Sequence, residues 1–176
     1  MKFLILNGPN LNLLGRREPE IYGHSTYAEL CREIAEYAEN RGNQVRFVQS
    51  NHEGVLIDVI QQAGEDGTQG IVINPGAYSH YSYAIHDALR SVDVPAVEVH
   101  ISDITAREPW RQVSVTAAAC VKMITGQGFG RLPAGHGHSG GASEMNTRVK
   151  NASEWAVLLP AAGDETGCVT VCLSFA

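Results

Sequence analysis

Side chains capable of acid–base or anion-binding chemistry collect in three segments of this sequence, each directly after an apolar run. The segments are residues 7–22, 74–80 and 100–111, and they hold an unusual share of the chain's Asn, His, Arg and Tyr. Imidazole and phenol groups can exchange protons, guanidinium groups hold anions, and amides do both kinds of hydrogen bonding. A functional site is therefore expected where these segments meet.

The clearest chemical pattern lies where the last apolar run meets the third segment. Glu98 and His100 are two residues apart, so in a strand both side chains lie on one side. A carboxylate beside an imidazole can fix its tautomer and favour its protonated form, although a satisfied pair at a strand end is the alternative. Arg107 and Arg111 follow, and two guanidinium groups facing a strand end suggest a ligand with a carboxylate. A solvated surface pair is the other interpretation.

The first two segments leave more room for interpretation. Asn74 and His80 offer an amide and an imidazole on a turn, which suits a hydrogen-bonding role or a plain surface histidine equally well. Tyr22 lies five residues after Arg17, and a nearby arginine would lower a phenol pKa from its ordinary value near ~10. Such a pair could remove a carbon-bound proton next to a carbonyl, and Asn10 could stabilise the enolate. Spacing alone leaves this as one of several readings.

The elements that must position these groups alternate between apolar runs and amphipathic periods. Strands are predicted at residues 2–7, around Val45 and Phe47, and at 70–74, 96–100 and 118–125. Capping boxes at Thr26–Glu29 and Ser50–Glu53 predict the starts of two helices. A third helix is predicted to carry Ala84, Ile85, Ala88 and Leu89 on one face.

This alternation predicts an α/β fold, a flavodoxin-like three-layer sandwich around a five-stranded parallel sheet of order 2-1-3-4-5. Ligands of such sheets bind beyond the carboxyl ends of the strands, where the strand order reverses. That point lies between strands 1 and 3, with strand 4 beside them. The three polar segments all leave the sheet there.

Composition narrows the class of protein. The 176 residues are 44% hydrophobic and 18% charged, with a formal net charge of -6, which disfavours nucleic acid or membrane as a partner. We expect a cytoplasmic protein, with its four scattered cysteines as buried thiols rather than a disulfide framework. The sequence lacks a dinucleotide fingerprint, a P-loop, a nucleophile elbow and any recognised metal spacing, so no metal is expected.

Five ordered blocks across residues 3–130 resemble the type II 3-dehydroquinate dehydratases, or type II dehydroquinases. The blocks are LNGPNLNLLGRREPEIYG (6–23), QSNHEG (49–54), INPGAYSH (73–80), AIHDAL (84–89) and VEVHIS (97–102), followed by ARE (106–108) and Arg111. The resemblance implies reversible anti elimination of water from 3-dehydroquinate, giving 3-dehydroshikimate, in the shikimate pathway. It also implies that no metal or organic cofactor takes part.

The resemblance also implies a role for each matching residue. Tyr22 would be the base, Arg17 on a mobile lid loop would lower its pKa, and Asn10 would hold the enolate through an ordered water. His100, oriented by Glu98, would protonate the leaving hydroxyl. Substrate contacts would come from Asn74, His80, Ile101, Ser102, Arg107 and Arg111, and from Asp87 of a neighbouring subunit, because the family forms trimers packed into dodecamers.

The chain departs from the family after its fifth strand, where an amphipathic closing helix is usual. Residues 131–141 are glycine-rich and have no helical period. One permitted codon choice for them, read one base later, encodes Gly-Tyr-Arg-Gln-Ala-Met-Asp-Ile-Leu-Ala, which has the character of the missing helix. We therefore hypothesise that the chain leaves its ancestral reading frame near Gly130, with coincidence as the alternative. Residues 1–130 would be the catalytic domain and 131–176 an atypical, poorly ordered tail, with strand-like runs at 157–159 and 169–175.

Two other functions compete with the enzyme. A flavodoxin-like module could bind a small carboxylate or FMN without turnover. A catalytically dead relic could also result, because loss of the closing helix would expose apolar sheet surface. The presence of both proposed proton-transfer residues and of the lid arginine favours the enzyme.

Overall fold

A computed structural model describes residues 1–16, 25–125, 154–159 and 169–174 of the chain, the last two ranges as strands. The strands are β1 (Lys2–Asn7), β2 (Gln44–Gln49), β3 (Gly70–Asn74), β4 (Ala96–His100), β5 (Lys122–Thr125), β6 (Glu154–Leu159) and β7 (Val169–Ser174). The helices are α1 (Tyr27–Glu39), α2 (Glu53–Ala63) and α3 (Tyr83–Arg90). Short 3-10 turns connect several of them.

The central sheet has the order β2-β1-β3-β4-β5, and every neighbouring pair is parallel. The predicted flavodoxin-like order is therefore confirmed. Asn7, the last residue of β1, lies opposite both Gln49 of β2 and Asn74 of β3. Because these three strands end at the same level, the loops that follow them leave the sheet side by side.

The two faces of the sheet bury alternate residues of β1, as the pleat of a strand requires. Leu4 and Leu6 pack with Leu56 of α2 and Ile85 of α3 in one core. Phe3 and Ile5 belong to a second core that includes Ile34 of α1. Helices therefore cover both faces, and the three layers predicted from the sequence are confirmed.

The helix starts show where local signals succeed and fail. Thr26 and Glu29 form the predicted capping box at α1, whereas the box predicted at Ser50 and Glu53 is wrong. His52 is the residue before α2, and Ser50 accepts its N–H at 3.0 Å instead. The Glu53 carboxylate accepts the hydroxyl of Ser82 at 2.6 Å, so a tertiary partner takes the group that the box needed.

Two further details of the predicted elements need correction. Ala84 lies on the exposed side of α3, because the buried side of this short helix is formed by Ile85, Ala88 and Leu89. Strand β5 begins at Lys122 rather than at residue 118, because residues 116–119 form a 3-10 turn. That turn brings the preceding residues back toward β4, which matters for the site.

The described part of the tail is one antiparallel pair, β6 and β7, whose backbone lies near β4 and α1. Strands were expected at residues 157–159 and 169–175, and strands are present at both places. The rest of 131–176 lies outside the described residues, so its expected disorder stays a prediction. Among the helices that the structure describes, none is long and apolar enough to cross a membrane.

Candidate active site

A cavity of about 270 Å³ lies at the carboxyl ends of β1, β3 and β4, the edge that the sheet topology indicates. Its polar lining contains the amides and imidazoles singled out in the sequence, two arginines and a serine. The lining includes Pro9, Asn10, Leu11, Leu14, Asn74, Gly76, His80, His100, Ile101, Ser102, Arg107 and Arg111. Leu11, Leu14 and Ile101 form the apolar wall.

A Gly-Pro turn (residues 8–9) and a Pro-Gly turn (residues 75–76) pack against each other to form the base of the cavity. The Gly8 N–H donates to the Asn74 carbonyl at 2.7 Å, and a Cβ at position 8 would lie only 2.4 Å from the Pro75 carbonyl oxygen. Gly76 has φ +59° and packs on Pro9, in a conformation that favours glycine. The exits of β1 and β3 are therefore in direct backbone contact, with no room for a side chain between them.

Asn10 begins the long loop in a left-handed conformation, with φ 67°. Asparagine tolerates this region better than most residues do. Its N–H donates to Asn51 Oδ1 at 2.9 Å, while Gln49 Nε2 donates to the Gly8 carbonyl at 3.1 Å. Asn51 was not predicted to matter, and only its place directly after β2 could have suggested that it supports this loop.

Asn74 is buried at the end of β3, with its amide defined by a turn. Its Oδ1 accepts the N–H of Gly76 at 3.2 Å. A backbone N–H can only donate, so this contact assigns the carbonyl end of the amide. The NH₂ group of Asn74 remains as the donor available to a ligand in the cavity.

His80 presents a hydrogen-bond acceptor to the cavity. Its Nδ1 lies 2.9 Å from the Val113 carbonyl, which can only accept, so Nδ1 carries the proton and Nε2 has the lone pair. Burial lowers the pKa of His80, and the charges of His100 and Arg111 lower it further, against the effect of the Val113 bond. The Trp110 ring meets His80 edge to face at 5.3 Å.

Glu98 and His100 form the buried pair that their spacing predicted. His100 Nε2 lies 2.7 Å from Glu98 Oε1, and the two residues are 5% and 0% exposed. Because the carboxylate takes the Nε2–H, Nδ1 is the ring nitrogen left for chemistry. Ser114 and Thr116 also donate to this carboxylate, at 2.6 Å and 2.5 Å. Sequence reasoning missed both hydroxyls, because Thr116 lies in a 3-10 turn and no local pattern brings these positions to Glu98.

The two arginines share one carboxylate on the outer side of the cavity. Arg107 Nε and Arg111 Nε lie 3.4 Å and 3.0 Å from Glu108 Oε2, and the Glu108 side chain is 52% exposed. The Arg111 guanidinium also stacks 3.9 Å from the centre of the Trp110 ring. Two positive charges against one negative charge leave a net positive charge beside the cavity, which suits an anionic ligand.

Three predicted site residues are not among those described at the cavity. Arg17 and Tyr22 fall outside the described residues. Asp87 is exposed on α3 and is not among the residues that line the cavity. In the ranges that the structure describes, no group of three or more His, Cys, Asp or Glu side chains could hold a metal ion.

A doubly wound parallel sheet with a positively charged, histidine-containing cavity at its switch point is typical of enzymes for small anionic metabolites. The family model described as Dehydroquinase class II matches residues 1–133. The chain therefore belongs to the class II dehydroquinase family, and it is an enzyme.

Individual relatives agree with this assignment. A 3-dehydroquinate dehydratase of Caldicellulosiruptor saccharolyticus is 54% identical over 128 residues, which cover 73% of this chain and 88% of the relative. One from Rhodopseudomonas palustris is 57% identical over 125 residues, covering 71% and 83%. The crystal structure of the type II dehydroquinase from Butyrivibrio crossotus superposes with a TM-score of 0.72 at 55% identity, covering 73% of this chain and 89% of that one.

Proposed function

We propose that this enzyme catalyses the reversible anti dehydration of 3-dehydroquinate to 3-dehydroshikimate through an enolate. The buried Glu98–His100 pair carries the proposal, because it leaves one imidazole nitrogen at a cavity that also holds two arginines. Elimination of water next to a ketone needs a base at carbon, a proton for the departing hydroxyl and a partner for the substrate carboxylate. The names of the relatives supply the substrate.

In the proposed first step, the Tyr22 phenolate removes the proton from the carbon next to the ketone. The electron pair of that bond moves onto the ketone oxygen and forms the enolate. Arg17 lowers the pKa of Tyr22, and Asn10 stabilises the enolate through a water. These roles follow the family resemblance, and the ordered position of Asn10 on Asn51 supports the last of them.

In the proposed second step, the enolate re-forms the ketone and expels the hydroxyl as a carbon–carbon double bond forms. The hydroxyl takes a proton from His100 Nδ1 and leaves as water. Glu98 supports this step because it accepts the Nε2–H, so that the proton for transfer is on the other nitrogen.

Recognition of the substrate is proposed to divide between neutral and charged groups. The Asn74 NH₂ and the His80 Nε2 would hold hydroxyl groups, one as a donor and the other as an acceptor. Arg111 would also contact the hydroxyls, while Ile101 and Ser102 take the carboxylate at the end of β4 and Arg107 adds positive charge beside the cavity. Asp87 would reach the site of a neighbouring subunit.

The enzyme is proposed to act in the cytoplasm as trimers packed into dodecamers. The family resemblance supports this assembly, as do Tyr81 and Tyr83, which are 60% and 67% exposed beside Asp87 at the start of α3. Exposed aromatic side chains are enriched in protein interfaces. Light scattering on the purified full chain tests the assembly, and a monodisperse monomer would contradict it.

We further propose that residues 131–176 are read one base out of the ancestral frame. Glu144-Met145-Asn146 supports this, because GAR ATG AAY contains an in-frame TGA when it is read one base later, whatever codons are used. The shifted reading would therefore end after residue 144. Relatives matched over 128 residues at 88% coverage are about 145 residues long. Sequencing the gene tests the proposal, and a shifted frame that encodes no amphipathic helix would contradict it.

The activity is tested by following the conjugated enone product in the ultraviolet with 3-dehydroquinate as substrate. Wild type should turn over, Tyr22→Phe should lose most activity, and Tyr37→Phe, on α1 and outside the cavity lining, serves as the matched control. An inactive but folded wild type would overturn the proposed reaction, and full activity of Tyr22→Phe would overturn the base. Yellow flavin that copurifies with an inactive protein would instead indicate an FMN-binding module.

A further inference from the structure

Residues 113–116 run directly behind the two histidines of the cavity. The Val113 carbonyl accepts the Nδ1–H of His80, and the Val115 N–H donates to the Ser79 carbonyl at 2.7 Å. The Val115 carbonyl lies 3.0 Å from Nδ1 of His86. Backbone contacts of this kind fix where the side chains of residues 114 and 116 point.

Both of those side chains end on Glu98. The Ser114 hydroxyl accepts the N–H of Ala117 at 3.1 Å, and it donates its single proton to Glu98 Oε1 at 2.6 Å. The fully buried Thr116 donates to the other oxygen, Oε2. With the His100 Nε2–H also on Oε1, the carboxylate has donors on both of its oxygens and cannot turn without losing at least one bond.

We propose that Ser114 and Thr116 are positioning residues for proton transfer by His100. They hold the Glu98 carboxylate in one orientation, and Glu98 in turn holds the His100 ring, so that Nδ1 is aimed at the leaving hydroxyl. This inference rests on the proposed role of His100 as the acid. Displacement of a reacting group by as little as ~1 Å can cost two orders of magnitude in rate. Residues that hold Glu98, and through it His100, can therefore have a measurable effect on kcat.

The alternative is that the Ser114 and Thr116 hydroxyls only provide hydrogen-bond donors to the buried Glu98 carboxylate and therefore affect stability alone. The two ideas differ in what they predict for a folded variant. A purely structural role changes the unfolding transition and leaves kcat of the folded protein as it was. A positioning role lowers kcat while KM stays nearly constant, because the substrate contacts are made by other residues.

The test compares Thr116→Val, which removes the hydroxyl at nearly constant volume, with Thr116→Ser, which keeps it. Removal of groups that orient a functional histidine typically costs about 10–100-fold, so Thr116→Val should lose about tenfold in kcat with little change in KM. Thr116→Ser should stay near wild type. Ser114→Ala is the second variant if Thr116→Val does not fold, and Ser91→Ala, whose hydroxyl bonds the Ala88 carbonyl at the end of α3, is the matched control.

A double-mutant cycle identifies the path of the effect. If Thr116 acts through Glu98, then Thr116→Val should cause no further loss of kcat in a Glu98→Gln background. An equal loss in both backgrounds would overturn the proposal. The ¹⁵N shifts of the His100 ring give an independent readout of its neutral form, the one left after Nδ1 has given up its proton: in wild type that form should keep the Nε2–H tautomer, and Thr116→Val should populate the other one.

The proposal and the proposed function fail in different ways. If His100→Gln abolishes turnover while folded Thr116→Val and Ser114→Ala keep wild-type kcat, the positioning role is wrong and the acid stands. If His100→Gln retains full activity, the acid itself is wrong and the positioning role falls with it.

Discussion

The two sides of the cavity are built on opposite physical principles. On the inner side, Glu98, His100 and Thr116 are each no more than 5% exposed, and every contact between them is a short hydrogen bond. On the outer side, Arg107 follows one 3-10 turn, Arg111 ends the next, and the two share the half-exposed Glu108. The inner side is held by geometry, and the outer side by charge.

This difference matches what each side has to do. Proton transfer needs an imidazole whose position and tautomer are set before the substrate arrives, which burial and directed donors achieve. Capture of an anion needs net charge near the entrance and side chains that can exchange an internal partner for a ligand. We therefore expect substitutions on the inner side to act on kcat and stability, and those on the outer side to act on KM.

The largest effect should come from His100→Gln. Loss of a general acid costs about 10²–10⁴-fold in rate, so kcat for 3-dehydroquinate should fall within that range while KM changes little. Steady-state kinetics with the ultraviolet assay measures both constants. The matched control is His52→Gln, which alters an exposed histidine at the start of α2. A variant with a raised KM and an unchanged kcat would assign His100 to substrate binding. It would contradict the division of the cavity into a proton-transfer side and a binding side.

The next largest effect concerns stability, with Glu98→Ala against Glu108→Ala. The first leaves the donors on His100, Ser114 and Thr116 without their acceptor, which costs about 1–3 kcal/mol for a buried group. The second removes an exposed carboxylate and should stay within about 0.5 kcal/mol. Urea unfolding at matched protein concentration measures the difference, because assembly makes stability depend on concentration. Equal costs would contradict the division into a buried and an exposed side.

The sequence predicts most of this fold because its signals are local. Apolar runs, helical periods and the Thr26 capping box each depend on neighbours along the chain, and together they give the alternation of strands and helices that suits the observed order of the sheet. The wrong capping box at Ser50 shows the limit. The Glu53 carboxylate can accept either a local backbone N–H or the distant Ser82 hydroxyl, and tertiary packing favours the hydroxyl.

The site divides along the same line. Glu98 and His100 are two residues apart in one strand, so their contact follows from the alternation of side chains. Ser114 and Thr116 reach Glu98 from 16 and 18 residues further along the chain, after two 3-10 turns whose path no pattern in the sequence specifies. Trp110, which contacts both His80 and Arg111, escaped notice as a supporting residue for the same reason.

A smaller effect is expected for Arg111→Met. This change keeps an unbranched stem and removes the guanidinium, so KM for 3-dehydroquinate should rise about tenfold, the scale of one hydrogen bond to a charged group. The increase should shrink at high ionic strength, because salt screens the wild-type attraction. Arg41→Met, which alters an exposed arginine stacked on Tyr37, is the control. An unchanged KM would mean that Arg111 contributes nothing to substrate binding.

The smallest expected effect is the titration of His80, which connects the two sides through Val113 and Trp110. Burial is the main reason that its pKa lies below the ordinary 6.5, and His100 and Arg111 add to it while Glu98 opposes it. A lowered pKa means that the unfolded chain binds the proton more readily than the folded protein. The contribution of His80 to stability is therefore fully present above pH 6.5 and is lost as pH falls through the folded value.

Two measurements check this expectation. The ring signals of His80 in a proton NMR titration should change below pH 6.5, and the unfolding free energy of wild type should fall more steeply over that interval than that of His80→Asn. Above that interval His80 Nε2 stays unprotonated, so it can accept a hydrogen bond from a substrate hydroxyl. A titration of His80 at or above pH 6.5 would contradict this expectation. The ring would then be protonated on both nitrogens just below neutral pH, and His80 would belong to the charged, outer side of the cavity.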